Sequence, residues 1–172
     1  MIRVNGLEDS KITAYHVGFV LGPCINASGR LDTAARSLAL LNAENQDEAA
    51  KLAGDLTALN QSRKSLTEEG KEAAIHQVEN TDLKDDRVLV IYLPDCHESI
   101  AGIIAGRIRE KYHKPTFVLT KGENSAKGSG RSIEAYSMYE ELVRCADLLI
   151  QFGGHPMAAG LSIEEKNIEK FR

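Results

Sequence analysis

A glycine pair followed by histidine and proline is the first combination in this sequence whose residue types could do chemistry. It occurs in QFGGHPMAAG, residues 151–160. Gly153 and Gly154 let a backbone approach a ligand closely, and the imidazole of His155 can donate a hydrogen bond or carry a proton near neutral pH. The pattern predicts a loop on which these residues contact a ligand. The alternative is a routine helix cap, in which His155 has no role.

A second glycine-rich stretch, KGSGRS at residues 127–132, ends beside an arginine. Gly128 and Gly130 would let backbone N–H groups approach a phosphate, and the guanidinium of Arg131 can hold two phosphate oxygens. Glycines in a strand can equally mark a bulge or a bend. This stretch alone leaves both interpretations open.

The third stretch, PDCHESIAG at residues 94–102, runs from a predicted strand into a helix N-terminus, where open α/β sheets usually hold ligands. Asp95, Cys96 and His97 are consecutive and point in different directions, so a tetrahedral metal site would need ligands from elsewhere. The favoured interpretation is a polar contact from His97 to a ligand, and the alternative is an ordinary loop histidine. No metal site is predicted in this chain.

The charge of the sequence is unevenly distributed. The chain has 42% hydrophobic and 27% charged residues and a net charge of -4, the composition of a globular protein. Residues 104–131 nevertheless carry seven basic side chains against two acidic ones. The basic residues are Arg107, Arg109, Lys111, Lys114, Lys121, Lys127 and Arg131. Such a basic stripe is typical of a protein that meets a polyanion with one face, although a solvated face has the same composition.

Two classes of protein are disfavoured. No apolar run approaches the roughly 20 residues of a membrane span, and no charged-then-apolar leader is present, so a cytoplasmic location is expected. The three cysteines, Cys24, Cys96 and Cys145, have no CxxC spacing, which argues against a disulfide framework and against a zinc knuckle.

The elements that must position these residues fall into two unlike halves. A Gly/Pro/Asn-rich loop is predicted over 15–32, followed by a helix that ends near Asn42. Asn45 and Glu48 form a capping-box pattern at the start of a second helix that continues to about Val78. At about 1.5 Å per residue this second helix would span roughly 50 Å, which is typical of a connecting helix.

The second half predicts a compact α/β module. Strands are expected at RVLVIYL, TFVLT, SAKGSGRSI and AAGLSIE, and a helix at SIAGIIAGRIREKY. Ser137 and Glu140 form another capping-box pattern, opening a helix whose apolar residues extend to Leu149. The predicted fold class is therefore α/β, a mixed sheet flanked by helices, preceded by a helical segment and a long connecting helix.

In combination these stretches resemble a known family. HESIAGIIAGRI, GSGRS and FGGHPMAAGLSI, at their spacings, resemble the DHH-associated domain of the DHH phosphoesterases. GPCINASGRLDTAA, followed by a long charged helix, is similar to the region before that domain in the family's single-strand-specific 5′-to-3′ DNA exonucleases. The resemblance covers nearly the whole chain. It implies that residues 1–42 are the tail of the catalytic domain, 43–80 the connecting helix and 84–172 the substrate-binding domain.

The resemblance also implies a set of substrate-binding residues. Arg131 and Ser132 would contact phosphate. Gly153, Gly154 and His155 would close over the nucleotide near the scissile bond. Of these residues, only His155 would also assist catalysis. His97 would line the same cleft, and Asn26 and Arg30 would contribute from its other wall. Cys24 departs from the basic or polar residue expected at that edge.

The family's catalytic metal ions, manganese or magnesium, are held by an Asp-His-His domain, and that tripeptide does not occur in this sequence. The chain is therefore expected to be a fragment that binds no metal and does not hydrolyse DNA by itself. Its partner would be single-stranded DNA or short oligonucleotides, in DNA repair or recombination, and no protein partner is predicted. The alternatives are an oligoribonuclease or cyclic-dinucleotide phosphodiesterase of the same superfamily, or a non-catalytic nucleic-acid-binding module.

Overall fold

The computed structural model describes all of residues 1–172, which form two compact units, Met1–Ser65 and Leu66–Arg172. One long helix contributes its first part to the first unit and its last part to the second. No helix is both long and apolar enough to cross a membrane.

All regular elements of the first unit are helical. A 3-10 turn at Arg3–Asn5 precedes α1 (Ala14–His16), a π-helical turn (Val17–Leu21), α2 (Gly22–Leu31), α3 (Ala34–Leu41) and the beginning of α4 (Gln46–Glu79). Thr33 caps α3, since its side chain accepts a hydrogen bond from the N–H of Ala35 at 3.3 Å.

The prediction of a loop over residues 15–32 is wrong, because those residues are almost entirely helical. Pro23 lies in the first turn of α2, directly after the π turn, in which the N–H of Gly22 donates to the carbonyl of Val17. A proline inside a regular α-helix lacks an N–H and clashes with the carbonyl four residues earlier. In the wider π turn, hydrogen bonds join residues five apart instead of four. The helical path therefore continues through the proline.

Helix α4 begins where the sequence predicts. The N–H of Glu48 donates to Oδ1 of Asn45 at 2.9 Å, and Nδ2 of Asn45 donates to Oε2 of Glu48 at 3.3 Å. The cap is therefore formed, although the returning contact uses the Asn45 side chain rather than its backbone. The helix runs for 34 residues, with Leu56 fully buried and Leu66 39% exposed.

The second unit is built on a five-stranded mixed sheet, which confirms the predicted α/β class. Its strands are β1 (Leu89–Tyr92), β2 (Thr116–Lys121), β3 (Ala126–Arg131), β4 (Leu149–His155) and β5 (Ala158–Ile163). They lie in the order β1-β2-β3-β5-β4. Only β1 and β2 are parallel, and α5 (Glu98–Tyr112) connects them.

Two hydrophobic cores form, one on each face of this sheet. On one face α5 and the end of α4 pack against β1 and β2, with Ile104 and Val118 fully buried. On the other face α6 (Met138–Arg144) and α7 (Ile168–Phe171) pack against β2, β3 and β5, with Met138 and Leu119 fully buried.

The capping box predicted at Ser137 and Glu140 is absent. The Ser137 hydroxyl makes no cap hydrogen bond and is buried without a partner. The N–H of Met138 donates instead to the carbonyl of Pro156 at 2.9 Å. A carbonyl distant in sequence therefore accepts the first N–H group of α6. The helix also ends earlier than predicted, at Arg144, and Leu149 begins β4.

Candidate functional site

A groove lies where α5 stops covering the sheet. Helix α5 packs over β1, β2 and β3 and leaves the same face of β5 and β4 open. The resulting groove has a volume of about 480 Å³. Its walls and base come from the start of α5 (Glu98, Ser99 and Ala101) and from stretches of β3, β4 and β5 at residues 127–129, 151–153 and 160–162.

The strand register determines which side chains share this open face. Directly paired residues in antiparallel strands project to the same side of a sheet. Three rows therefore cross β3, β5 and β4 on the α5 side: Lys127, Ser162 and Gln151; Ser129, Gly160 and Gly153; Arg131, Ala158 and His155. Arg131 and His155 are thus two strands apart in one row, about 10 Å at the usual strand spacing.

Arg131 is held beneath the first turns of α5. Its Nη1 donates to the carbonyl of Gly130 at 2.7 Å. A Cβ added to Gly102 would lie 2.8 Å from Nη2 of Arg131 and 2.8 Å from Oγ of Ser129. Gly106, one turn later, faces the aliphatic part of the same side chain, 4.0 Å from Cγ. The two helix glycines therefore provide the space that Arg131 occupies.

Gly102 and Ser129 are neighbours of Arg131 that were not predicted from the sequence. The available signal was the one-turn spacing of Gly102 and Gly106, which marks a helix face able to accept a long side chain.

The predicted loop at the glycine pair is wrong, because Gly153, Gly154 and His155 are the last residues of β4. They pair with Gly160, Ala159 and Ala158 of β5. This pairing makes the residues extended. Glycine is required at Gly154 because its φ is +152° and because a Cβ there would lie 2.4 Å from the carbonyl oxygen of Ala158.

The turn between these strands is fixed to the rest of the unit. Pro156 and Met157 connect β4 to β5, and both of their carbonyls accept hydrogen bonds. The N–H of Met138 donates to the Pro156 carbonyl and the N–H of Ser132 to that of Met157, each at 2.9 Å. This hairpin is a positioned part of the sheet and not a separate lid.

Ser132 is placed to hold this arrangement together. It is 1% exposed, and its hydroxyl donates to the carbonyl of Tyr136 at 2.6 Å. The hydroxyl therefore contacts the protein interior, in contrast to the predicted phosphate contact. Its position directly after Arg131 fixes the end of β3 against the hairpin.

His97 caps α5 beside the groove. Its Nδ1 accepts the N–H of Ser99 at 3.3 Å and lies 2.7 Å from Oγ of Ser99. The imidazole is exposed and lines two neighbouring cavities, of about 250 and 960 Å³, rather than the groove. The prediction that His97 lies at a helix N-terminus is confirmed.

The neighbouring Cys96 is not set up for chemistry. Burial raises the pKa of its thiol above the ordinary value, which disfavours the thiolate that nucleophiles and metal ligands require. No group of three or more His, Cys, Asp and Glu side chains could hold a metal ion.

The remaining predicted residues lie in the first unit. Asn26 and Arg30 are exposed and one turn apart on α2. Burial, and then the positive charge of Arg30, lower the pKa of Arg63 on α4. Cys24 is 1% exposed, and its thiol donates to the carbonyl of Val20 at 3.2 Å. The position at which the sequence departs from the family pattern therefore lies in the interior of the first unit.

The basic stripe is not a uniform cationic face, because several of its members form ion pairs. Lys127 contacts Glu98 at 2.7 Å and Lys111 contacts Glu79 at 2.9 Å. Arg107 and Arg109 both contact Glu110, at 3.2 and 3.3 Å. Lys127 and Glu98 both line the groove, so the positive charge of Lys127 is offset there by its partner.

Comparison with known proteins gives a consistent result. The DHHA1 domain family matches residues 85–172. The single-stranded-DNA-specific exonuclease RecJ of Escherichia coli strain K12 is 38% identical over the whole chain, and the chain covers 31% of that protein. RecJ of Bacillus subtilis is 33% identical, again over the whole chain, which covers 22% of it. The chain thus spans less than a third of the length of these relatives.

Solved structures agree. The crystal structure of RecJ from Thermus thermophilus in complex with Mg²⁺ superposes with a TM-score of 0.86 at 32% identity, covering 99% of this chain and 26% of that one. A crystal structure of exonuclease RecJ bound to manganese gives a TM-score of 0.84, also at 32% identity, covering 99% of this chain and 41% of the other.

Proposed function

Because this chain belongs to the DHHA1 domain family, we propose that it is the single-stranded-DNA-binding part of a RecJ-like 5′-to-3′ exonuclease. The parent enzyme would act in the cytoplasm in DNA repair or recombination. Residues 84–172 would form the substrate-binding domain, 43–80 the connecting helix and 1–42 the end of the catalytic domain.

The observation that carries this proposal is the row formed by Arg131, Ala158 and His155 on the α5 side of the sheet, with Arg131 beneath the first turns of α5 and His155 on β4. The guanidinium of Arg131 offers a planar set of donors that suits phosphate. His155 is exposed at the other end of the row and can donate to a second oxygen. A phosphate and its nucleotide would therefore be held between two donors on a rigid sheet.

The groove offers few side chains that could distinguish one base from another. Phe152 is the only aromatic residue that lines it, and its ring lies on the opposite face of the strand, 6.2 Å from the ring of Tyr139. Contacts would come from backbone groups and from Arg131, which read the sugar-phosphate chain rather than the base edges.

The metal chemistry belongs to the parent enzyme. Manganese or magnesium, bound by an Asp-His-His domain, would activate the attacking water and neutralise the charge on the phosphate. This chain would hold the strand in register with those ions. Asn26 and Arg30 would add contacts from the first unit, and His97 would contact the strand beside the groove.

The test is binding of a 5′-labelled oligo-dT to the purified chain, measured by fluorescence anisotropy at several salt concentrations. If about three phosphates are neutralised, log K should fall against log salt with a slope near -2, at roughly -0.7 per phosphate. Binding that ignores salt, or that is equal for duplex and single strand, would contradict the proposal. A dinucleotide that binds as tightly as a longer strand would favour the oligoribonuclease or cyclic-dinucleotide alternative.

A further inference from the structure

One ion pair lies at the boundary between two cavities of the second unit. Nζ of Lys127 is 2.7 Å from Oε2 of Glu98. Lys127 and Glu98 are the two residues that the groove shares with the neighbouring cavity of about 960 Å³. Glu98 belongs to the first turn of α5 and Lys127 to β3, so the pair joins these elements at one end of the groove.

This pair neutralises a cation in the groove that is proposed to bind a polyanion. Lys127 lies on the same face of β3 as Arg131, four residues earlier, which is about 13 Å at roughly 3.3 Å per residue. Its hydrogen bond to Glu98 raises the pKa of Lys127 above the ordinary value, so the ammonium is charged at neutral pH. Glu98 is also stabilised by the dipole of α5, and therefore does not depend on Lys127 alone.

The pair can be opened without rearrangement of the sheet. The side chains of Lys127 and Glu98 are 53% and 49% exposed, and water and salt weaken such ion pairs. A Cβ added to Gly122, in the turn between β2 and β3, would lie 3.6 Å from Cγ and 3.7 Å from Cε of Lys127. The aliphatic part of Lys127 therefore lies against this turn, and only the ammonium has to leave Glu98 to reach another anion.

We propose that Lys127 is a second phosphate contact of the groove, and that a phosphate of the bound strand displaces Glu98 from it. This inference rests on the proposed function and names the oligonucleotides that the groove selects. A strand held at Arg131 brings its further phosphates to Lys127 at a local concentration that a separate anion does not reach. The dinucleotide dTpdT has a single phosphate and cannot contact Arg131 and Lys127 together. The groove therefore selects strands over dinucleotides.

The experiment measures binding of labelled oligo-dT and labelled dTpdT to Lys127→Gln and Glu98→Gln by fluorescence anisotropy. Lys111→Gln and Glu79→Gln are the matched controls, because they change the net charge in the same way. Lys111 and Glu79 form a similar pair at 2.9 Å, 44% and 53% exposed, and neither residue lines the groove.

The two groove variants should change affinity in opposite directions. Lys127→Gln should bind oligo-dT about fivefold more weakly than Lys111→Gln, the size of one exposed ionic contact. Its slope of log K against log salt should be shallower by about 0.7, the value for one phosphate. Glu98→Gln should bind oligo-dT about threefold more tightly than Glu79→Gln, because no carboxylate competes for Lys127. With dTpdT, each groove variant should bind like its control.

The controls separate this inference from the proposed function. A wild-type chain that does not bind single strands would overturn both. If the wild type binds, equal affinities of Lys127→Gln and Lys111→Gln for oligo-dT would overturn the Lys127 contact alone. The same holds if Glu98→Gln binds no more tightly than Glu79→Gln, or if Lys127→Gln weakens dTpdT as much as oligo-dT.

Discussion

The two faces of the sheet use glycine for opposite reasons. On the face covered by α6, a Cβ at Gly130 would lie 2.3 Å from Sδ of Met138 and 2.7 Å from Cε1 of Phe117, and one at Gly128 would lie 3.0 Å from the Leu161 side chain. On the open face, Gly153 and Gly160 have room for a side chain. The same residue type is thus required by packing on one face and has open space beside it on the other.

The packed face should show the largest effect. Gly130→Ala should lower the free energy of unfolding by about 3 kcal/mol, because overpacking of a tight core forces side chains or backbone to shift. Urea unfolding of the purified chain measures this loss. Gly153→Ala is the comparison, and it should be neutral or stabilising by up to about 1 kcal/mol. Equal stability of the two variants would remove the distinction between the faces.

A smaller effect is expected at Arg131, which lies beneath α5 next to the groove. Arg131→Ala should weaken binding of single-stranded DNA by about 2 kcal/mol, the usual contribution of hydrogen bonds to a charged group, or roughly thirtyfold in Kd. Arg131→Lys should not restore the affinity, because an ammonium cannot reproduce the planar fork. Anisotropy titrations measure both variants, and full rescue by lysine would show that only the charge matters.

His155, at the far end of the row, should matter for turnover more than for affinity. In a full-length enzyme that carries this chain, His155→Ala should slow single-turnover cleavage about tenfold, which corresponds to about 1.4 kcal/mol of transition-state stabilisation. The imidazole is exposed, so the melting temperature should not change. Unchanged cleavage would make His155 a bystander at the end of β4.

The smallest effect is expected at the C-terminal end of α5. Hydrogen bonds from Lys111 and then from Tyr112 lower the pKa of Glu79 below its ordinary value. A carboxylate with a lowered pKa stabilises the folded state above its ordinary pKa of about 4.3 and loses that contribution as the pH falls through the folded-state value.

Glu79→Gln should therefore be slightly less stable than the wild type at pH 7, and the difference should shrink below about pH 4. Thermal melts across this range provide the measurement, and DNA binding at pH 7 serves as the control because Glu79 does not line the groove. A stability difference that is constant with pH would show that the charge of Glu79 does not contribute.

Much of the second unit could be predicted from its sequence. The strand of residues 89–92 and the helix of residues 98–112 follow from continuous apolar runs and from helical spacing of isoleucines. The strand that contains Gly153 could not be predicted in this way. A glycine pair locally favours a turn, and only pairing with β5 makes those residues extended.

The same limit applies to the site. The types of Arg131 and His155 indicate phosphate chemistry, but their common row depends on the register of three strands. The resemblance implies that Ser132 contacts phosphate, whereas its buried position depends on the carbonyl of Tyr136, four residues later, and on the carbonyl of Met157 in the hairpin. Pro23 likewise favours a loop unless the preceding turn is known to be π-helical.

The hydrogen bonds that fix the turn at Pro156 and Met157 have a consequence for the rate of association. The conformational entropy of this hairpin is lost when the chain folds, so in the proposed complex with DNA its ordering would not reduce the affinity. No slow closing step is needed, and diffusion and charge should set the association rate. The amide hydrogens of Ser132 and Met138, donated to that turn, should exchange with solvent only when the hairpin detaches.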